Sequence, residues 1–303
     1  SGNRTMSVAG SSCRSAVTQD GPDAGAAGLV CRQNRLLMTL PAVDRERIAT
    51  MLEPVYLRRG IHLEPGPQAR HAYFPVTAMV ALLQVADDGS AVEVASVGND
   101  GMIGAERLSG SGAGRLRALV TGDGRAYRIG IDFLAREFAR GGALQRIVLG
   151  YLQVLLAQVA QTAVCNRRHS LRQQVCRWLL MSLDSLSSSE VLATQEGIAD
   201  LLGVRREGVN VVARQLKAGG LIAYGSGWIS VIERSGLEAL ACECYGLLRR
   251  ARAQWFDADV SDRGGPSVRP APSHAAGGSW AKIIASRFHQ PRMLVIRPAS
   301  STR

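Results

Sequence analysis

The sequence predicts an α+β chain: an N-terminal antiparallel β-roll, one long helix, and a small C-terminal domain of two helices closed by a β-hairpin. Three observations predict it. Short Val/Leu/Ala-rich segments recur from Val55 to Arg128, punctuated by Gly, Pro and Asn/Asp turns. A run without proline, LQRIVLGYLQVLLAQVAQTAVC, then carries apolar residues at helical spacing. Finally, TQEGIADLLGVRREGVNVVARQLK at 194–217 reads as two short amphipathic helices hinged at Gly203.

Residues 1–32 are rich in Ser, Ala and Gly without periodicity and are expected to be disordered. PAVDRERIATM (41–51) reads as a short capped helix. The segments VYLRRGIHL, HAYFPV, TAMVALLQVA, AVEVASVG, LRALVTG and AYRIGI read as strands, placing a roll at 33–140 that serves as sensor domain. Residues 141–186 are expected to form a dimerisation helix and hinge. Leu144, Val148, Tyr151, Leu155, Gln158 and Thr162 form a heptad-like stripe, with Ile147, Leu152, Leu156 and Val159 as a second stripe beside it. Such a helix needs two partners, which its own roll and a second copy of the chain would supply.

The domain at 187–250 carries the most specific signal. Thr194 can cap the first helix and Gly203 can end it in the left-handed conformation. Ile198, Leu201 and Leu202 form the buried face, while Val204, Val209, Val212 and Leu216 pin the second helix to it. LIAYGSGWISVI then forms two strands about Gly225-Ser226-Gly227. The whole is a winged helix-turn-helix, whose second helix is shaped for a DNA major groove. At its leading end Arg206, Glu207 and Asn210 are the expected base readers. Thr194, Gln195, Arg205 and Arg214 are expected to position the backbone, with the wing touching near Ser226.

The net charge of +11 fits a polyanion partner, but 41–140 and 190–252 are each nearly neutral. The excess lies at Arg167, Arg168, Arg172 and Arg177 and in 251–303, a Pro/Ser/Gly/Arg-rich segment expected to be a disordered basic tail with one candidate helix at 280–288. Of 36 basic residues only Lys217 and Lys282 are lysines, a bias that fits a GC-rich genome. The cysteines (Cys13, Cys31, Cys165, Cys176, Cys242, Cys244) are scattered and read as thiols of a reducing compartment. The first residues lack a signal-peptide core, and no apolar run reaches the roughly 18 residues of a bilayer span. A cytoplasmic protein without membrane contact is expected. Cys165 and His169 have metal-compatible spacing but form only a pair, and Cys242 and Cys244 are expected to diverge on a helix, so no metal site is expected. No catalytic constellation stands out, which argues against an enzyme.

A β-roll, long helix, hinge and winged helix-turn-helix, in that order, resemble the Crp/Fnr family of bacterial transcription regulators over about residues 33–248. LRRGIHLEPGPQARHAYFPVTAMVALL is similar to the family's opening strands, and GNDGMIGAERLSGSGAGRLRALV to its phosphate-binding cassette. TQEGIADLLGVRREGVNVVARQLKAGGLI is similar to its DNA-binding segment. NRRHSLRQQVCRWLL and CECY (242–245) resemble a subgroup of such regulators. The resemblance implies a homodimer on double-stranded DNA at a palindromic site, a signal received in a cyclic-nucleotide-binding-like roll, and RNA polymerase as partner. It places effector contacts at Gly104, Glu106, Arg115 and Arg117. The cassette departs from the nucleotide-binding pattern, because Glu106 is displaced by one residue and Leu116 replaces the hydroxyl after Arg115. The effector is therefore open, with a cyclic nucleotide disfavoured. Cys13 and Cys31 are too few and too far apart for the family's N-terminal iron–sulfur cluster. In the recognition helix Val211 stands where the family carries a second Arg. The rival reading is a small-molecule sensor acting on a protein partner through a vestigial winged domain.

Overall fold

A computed structural model describes residues 33–63, 69–109, 116–186 and 189–261. The expected N-terminal disorder, Cys13, Cys31, Arg115 and the candidate helix at 280–288 lie outside them. Two short helices, α1 (Arg35–Met38) and α2 (Ala42–Ala49), open the described chain. Pro41, at the start of α2, makes no side-chain capping bond, in contrast to the capped helix expected there.

Seven strands follow, closely matching the sequence expectation: β1 (Glu53–Leu57), β2 (His62–Leu63), β3 (His71–Pro75), β4 (Met79–Val85), β5 (Ala91–Val97), β6 (Leu116–Gly122) and β7 (Gly124–Gly130). They form two antiparallel sheets, ordered β1-β7-β3 and β2-β6-β4-β5. Side chains alternate between faces along a strand. Tyr73 therefore joins Val80, Leu82, Val97 and Val120 between the sheets, while Ala72 and Phe74 turn outward to Leu37, Ile48 and Leu134. The β6–β7 turn needs Gly124, since a Cβ there would stand 2.3 Å from the Ala78 amide nitrogen.

Helix α3 (Ile131–Ala139) leads to Gly141 and Gly142, whose φ values of 78° and 84° break the helix before α4 (Ala143–Arg168). The stripe Leu144, Val148, Tyr151, Gln158 and Thr162 is buried within its own chain, and Tyr151 Oη donates to Met102 O at 2.9 Å. A short break at 169–170 leads to α5 (Leu171–Leu186). The winged domain comprises β8 (Glu190–Val191), α6 (Gln195–Leu202), α7 (Arg206–Ala218), β9 (Ile222–Gly225), β10 (Trp228–Val231) and α8 (Arg234–Leu240). Its wing is a three-stranded sheet, β8-β10-β9, one strand more than the hairpin expected.

The last helix among the described residues, α9 (Glu243–Ser261), corrects an expectation: it runs past 250 into the stretch read as tail. It lies antiparallel along α4. Gln161 Nε2 donates to Cys244 Sγ near its start, Arg252 donates to Gln158 Oε1 at 2.9 Å, and Trp255 fills the space over Gly150, where a Cβ would meet the indole at 2.3 Å. Arg252 also pairs with Asp100 of the roll at 3.3 Å, and the Arg35 guanidinium stacks on Phe256. By length and mean hydropathy α4 is long and apolar enough to cross a bilayer, although Gln, Gly and Arg interrupt it and no continuous apolar run spans that length. Its contacts with the roll and α9 account for part of this apolar character.

The roll also meets α5 and the winged domain. Trp178 Nε1 donates to Glu93 Oε2 at 3.0 Å, and Gly98 packs on Ser185. Desolvation pushes the Glu93 carboxyl up to about 7, against the stabilising indole bond and the nearby Arg177 charge. An acid whose folded pKa is raised holds a proton that the unfolded chain releases, so stability falls as pH rises from about 4.5 to about 7 and then levels off. Urea denaturation across that window should show this decline in the wild type and a flatter profile in Glu93→Gln. Equal slopes for the two proteins would rule the assignment out.

Candidate nucleic-acid interface

The helix-turn-helix is built as its sequence requires. Thr194 caps α6 by accepting from the Gly197 amide at 2.9 Å. Gly203 ends it at φ 66° and ψ 36°, the left-handed region, and its amide bonds the Asp200 carbonyl. Val204 N bonds Ala199 O, closing the turn. Ile198, Leu201, Leu202, Val209, Val212 and Leu216 are buried together in a cluster that includes Leu179 and Leu180 of α5. Gly203 also sits directly on Val92 of β5, so the turn is in contact with the roll.

With that face inward, Arg205, Arg206 and Glu207 are exposed at the leading end of α7. The Arg206 guanidinium lies 3.7 Å from Glu196, with both side chains more than half exposed, a pairing worth little in water. Glu207 lies in the first turn, where the helix dipole favours a carboxylate. Arg214 is exposed further along the same helix, and Gln195 is half-buried at the start of α6. Ser226 is exposed in the two-residue wing turn between the paired Gly225 and Trp228. Lys217 stacks over Tyr224 at 4.9 Å, tying the end of α7 to the wing.

Asn210 departs from expectation. It is half-buried and its Oδ1 is enclosed without a hydrogen-bond partner. Pairing with adenine requires that oxygen as acceptor, so in this arrangement Asn210 does not offer the adenine-reading edge. Val211, 42 % exposed, stands next to it.

Of the expected effector residues, Gly104, Glu106 and Arg117 are among the described residues and lie on different elements. Gly104 (φ 92°) is packed over Ala72, and Glu106 lies in the 3₁₀ turn Ala105–Ser109 beside α3 and α4. Arg117 is exposed on β6, in the other sheet, where its charge acts on His62. A cavity of about 230 Å³ lies elsewhere, at the junction of the roll and the winged domain, lined by Met79, Leu83, Leu119, Trp178, Val191 and Leu201 among others.

A second correction concerns the cysteines. Cys165, His169, Cys242 and Cys244 converge, with ligand atoms all within 4.8 Å of one another. Cys242 precedes α9 and Cys244 lies in its first turn, so helical divergence does not separate them. The sequence signal is two half-sites, C-x₃-H and C-x-C, neither of which is a site alone, although metal sites are often assembled from two such pairs.

Residues 173–240 match the Crp-like helix-turn-helix domain family. The chain carries a Crp-like helix-turn-helix domain on a Crp/Fnr-type fold. Similar solved structures include a Crp/Fnr-family protein from Eubacterium rectale, at 17 % identity and TM-score 0.54, covering 68 % of this chain and 96 % of that one. FixK2 from Bradyrhizobium japonicum is similar at 19 % identity and TM-score 0.54, covering 63 % and 98 %. A CRP-family transcriptional regulator from Thermus thermophilus is similar at 22 % identity and TM-score 0.51, covering 61 % and 95 %. At these identities the likeness speaks for the fold alone. No curated protein matches the chain.

Within the Crp-like domain the two turn residues differ in what they contribute. Thr194→Ala removes one capping bond and is expected to cost about 1 kcal/mol. Gly203→Ala forces a side chain into φ 66° and places its Cβ 2.5 Å from Val92, so it is expected to cost more, about 2 kcal/mol. Chemical denaturation of the two variants checks the order; a neutral Gly203→Ala would contradict it.

Proposed function

We propose that the chain is a homodimeric, sequence-specific DNA-binding transcription regulator whose DNA affinity is set by a signal received in the roll. The observation that carries this reading is the exposed leading turn of α7. Arg205, Arg206 and Glu207 project there from a helix whose opposite face is buried, within residues that match a Crp-like helix-turn-helix. Arg206 is suited to guanine O6/N7 and Glu207 to cytosine N4. Arg205, Arg214, Thr194 and Gln195 position the backbone and Ser226 carries the wing contact. Asn210 joins the readers only if its side chain turns outward on binding.

The far side of α4 supports a second copy of the chain as partner. Leu149, Leu156 and Val164 are 47 %, 68 % and 48 % exposed there, with Gln153 and Ala160 between them at offsets of four and three. Pairing along this seam would bring two recognition helices to successive major grooves, roughly 34 Å apart. Signal input is supported by the contacts that the roll makes both with α4 and, through Val92, with the α6–α7 turn. Contact with RNA polymerase belongs to the same reading.

Gel shifts on genomic fragments test the DNA reading. Arg206→Ala/Glu207→Ala should weaken the specific site about 100-fold at fixed salt while leaving non-specific binding nearly unchanged. Wild-type binding that shows no steep loss with salt would favour a protein partner instead. Sedimentation of Leu149→Glu/Leu156→Glu should give a folded monomer with weakened DNA binding; an unchanged dimer would refute the seam.

A further inference from the structure

The strongest unassigned cluster lies where the long helix ends and the last helix begins. We propose that Cys165, His169, Cys242 and Cys244 form a tetrahedral site for a single divalent cation of the zinc class, stapling α4 to α9.

The geometry supports four ligands around one ion. Zinc takes sulfur at about 2.3 Å and imidazole nitrogen at about 2.0 Å, so a tetrahedron has S···S edges of roughly 3.7 Å and S···N edges of roughly 3.5 Å. Cys165 Sγ and Cys242 Sγ are 3.5 Å apart, and Cys244 Sγ lies 3.4 Å from His169 Nδ1. All three sulfurs belong to buried residues. The imidazole is already oriented: Nδ1 faces the sulfurs while Nε2 lies 3.2 Å from Glu243 Oε1. A carboxylate on the outer nitrogen fixes the tautomer that leaves Nδ1 free to ligate. Gln161 Nε2 donates to Cys244 Sγ at 3.0 Å, a bond suited to a thiolate. The helix ends agree in sign. The carbonyl end of α4 attracts a cation, and the amide end of α9 favours negative charge at Cys242 and Cys244.

Two rivals fit less well. A Cys165–Cys242 disulfide requires a bond of about 2.05 Å and leaves Cys244 and His169 converging without a task. An iron–sulfur cluster spreads its ligands over separate irons, whereas these four ligand atoms share one small sphere.

The staple has a mechanical consequence. Cys242 follows directly after α8, the end of the Crp-like domain, and Cys165 and His169 close the long helix. A cation held between them fixes that domain against α4. The effect on DNA affinity rests on the proposed function, whereas metal binding stands independently of it.

The test uses the full chain purified under reducing conditions without chelator, then reconstituted with Zn²⁺ and, separately, with Co²⁺. Elemental analysis is expected to give about one zinc per chain, and the cobalt form is expected to show the d–d absorption of tetrahedral thiolate coordination. Cys244→Ser and His169→Ala should lose the metal, and Cys176→Ala, a buried thiol outside the cluster, should keep it. Glu243→Gln, at an exposed position, should retain the fold and hold zinc about tenfold more weakly in competition with a chromophoric chelator. Wild-type protein that takes up no zinc, a Cys244→Ser variant that keeps it in full, or iron and sulfide in the isolated protein would each overturn the proposal. If zinc binds but its removal leaves DNA affinity unchanged, the site stands and the coupling to DNA falls.

Discussion

One helix sets the arrangement of everything else. Helix α4 must satisfy three faces at once, and each is defined by different residues. Leu144, Val148 and Tyr151 go to the roll and its flanking helices. Gly150, Gln158, Gln161 and Cys165 meet α9. Leu149, Leu156 and Val164 are left exposed on the remaining side. Burial of one large apolar side chain contributes about 2 kcal/mol, so the first face alone is a substantial anchor. The second is more polar and more exacting. Trp255 can lie against the helix only because residue 150 lacks a Cβ, and Arg252 is enclosed only because Asp100 and Gln158 receive it. A buried guanidinium without those partners would be strongly unfavourable.

The same helix accounts for how the two halves of the chain are held. Its end passes within two residues to α5, which packs on the roll and on the winged domain alike. Trp178 reaches the roll through Glu93, Ser185 through Gly98, and the α6–α7 turn through Val92. A shift in β5 would therefore be felt both at α5 and at the turn that aims the recognition helix. This is a chain of physical contacts, and a coupling role for it needs two arrangements that a signal populates differently.

The strands were legible in the sequence because short apolar segments are separated by Gly, Pro and Asn/Asp turns, a local pattern that tertiary contacts did not override. The turn at Gly203 was legible for the same reason: a cap at Thr194, an apolar stripe and a left-handed glycine are all local. The extension of α9 was not. Its apolar stripe is interrupted by Arg252, which reads as surface, and the partners that draw it inward, Asp100, Gln158 and the Ser96 carbonyl, are all distant in sequence. The cysteine cluster was hidden similarly. Neither half-site is persuasive alone, and their meeting depends on α9 lying antiparallel along α4, which no local pattern announces. Asn210 differs in the opposite sense from these. Its residue type suits a base, but its place on the helix turns its carbonyl oxygen inward.

That inward turn bears on how specificity would be divided in the proposed complex. An exposed Arg and Glu at the helix tip can each discriminate one base pair by hydrogen bonding. Val211 offers only apolar contact, suited to a thymine methyl. The buried Asn210 oxygen costs stability while it lacks a partner, roughly 1–3 kcal/mol for such a group. A rotation that exposed it would recover that cost and supply an acceptor in the groove together. In the proposed complex Arg206 and Glu207 would be set beforehand by the packing beneath them, and Asn210 would join them only by turning outward.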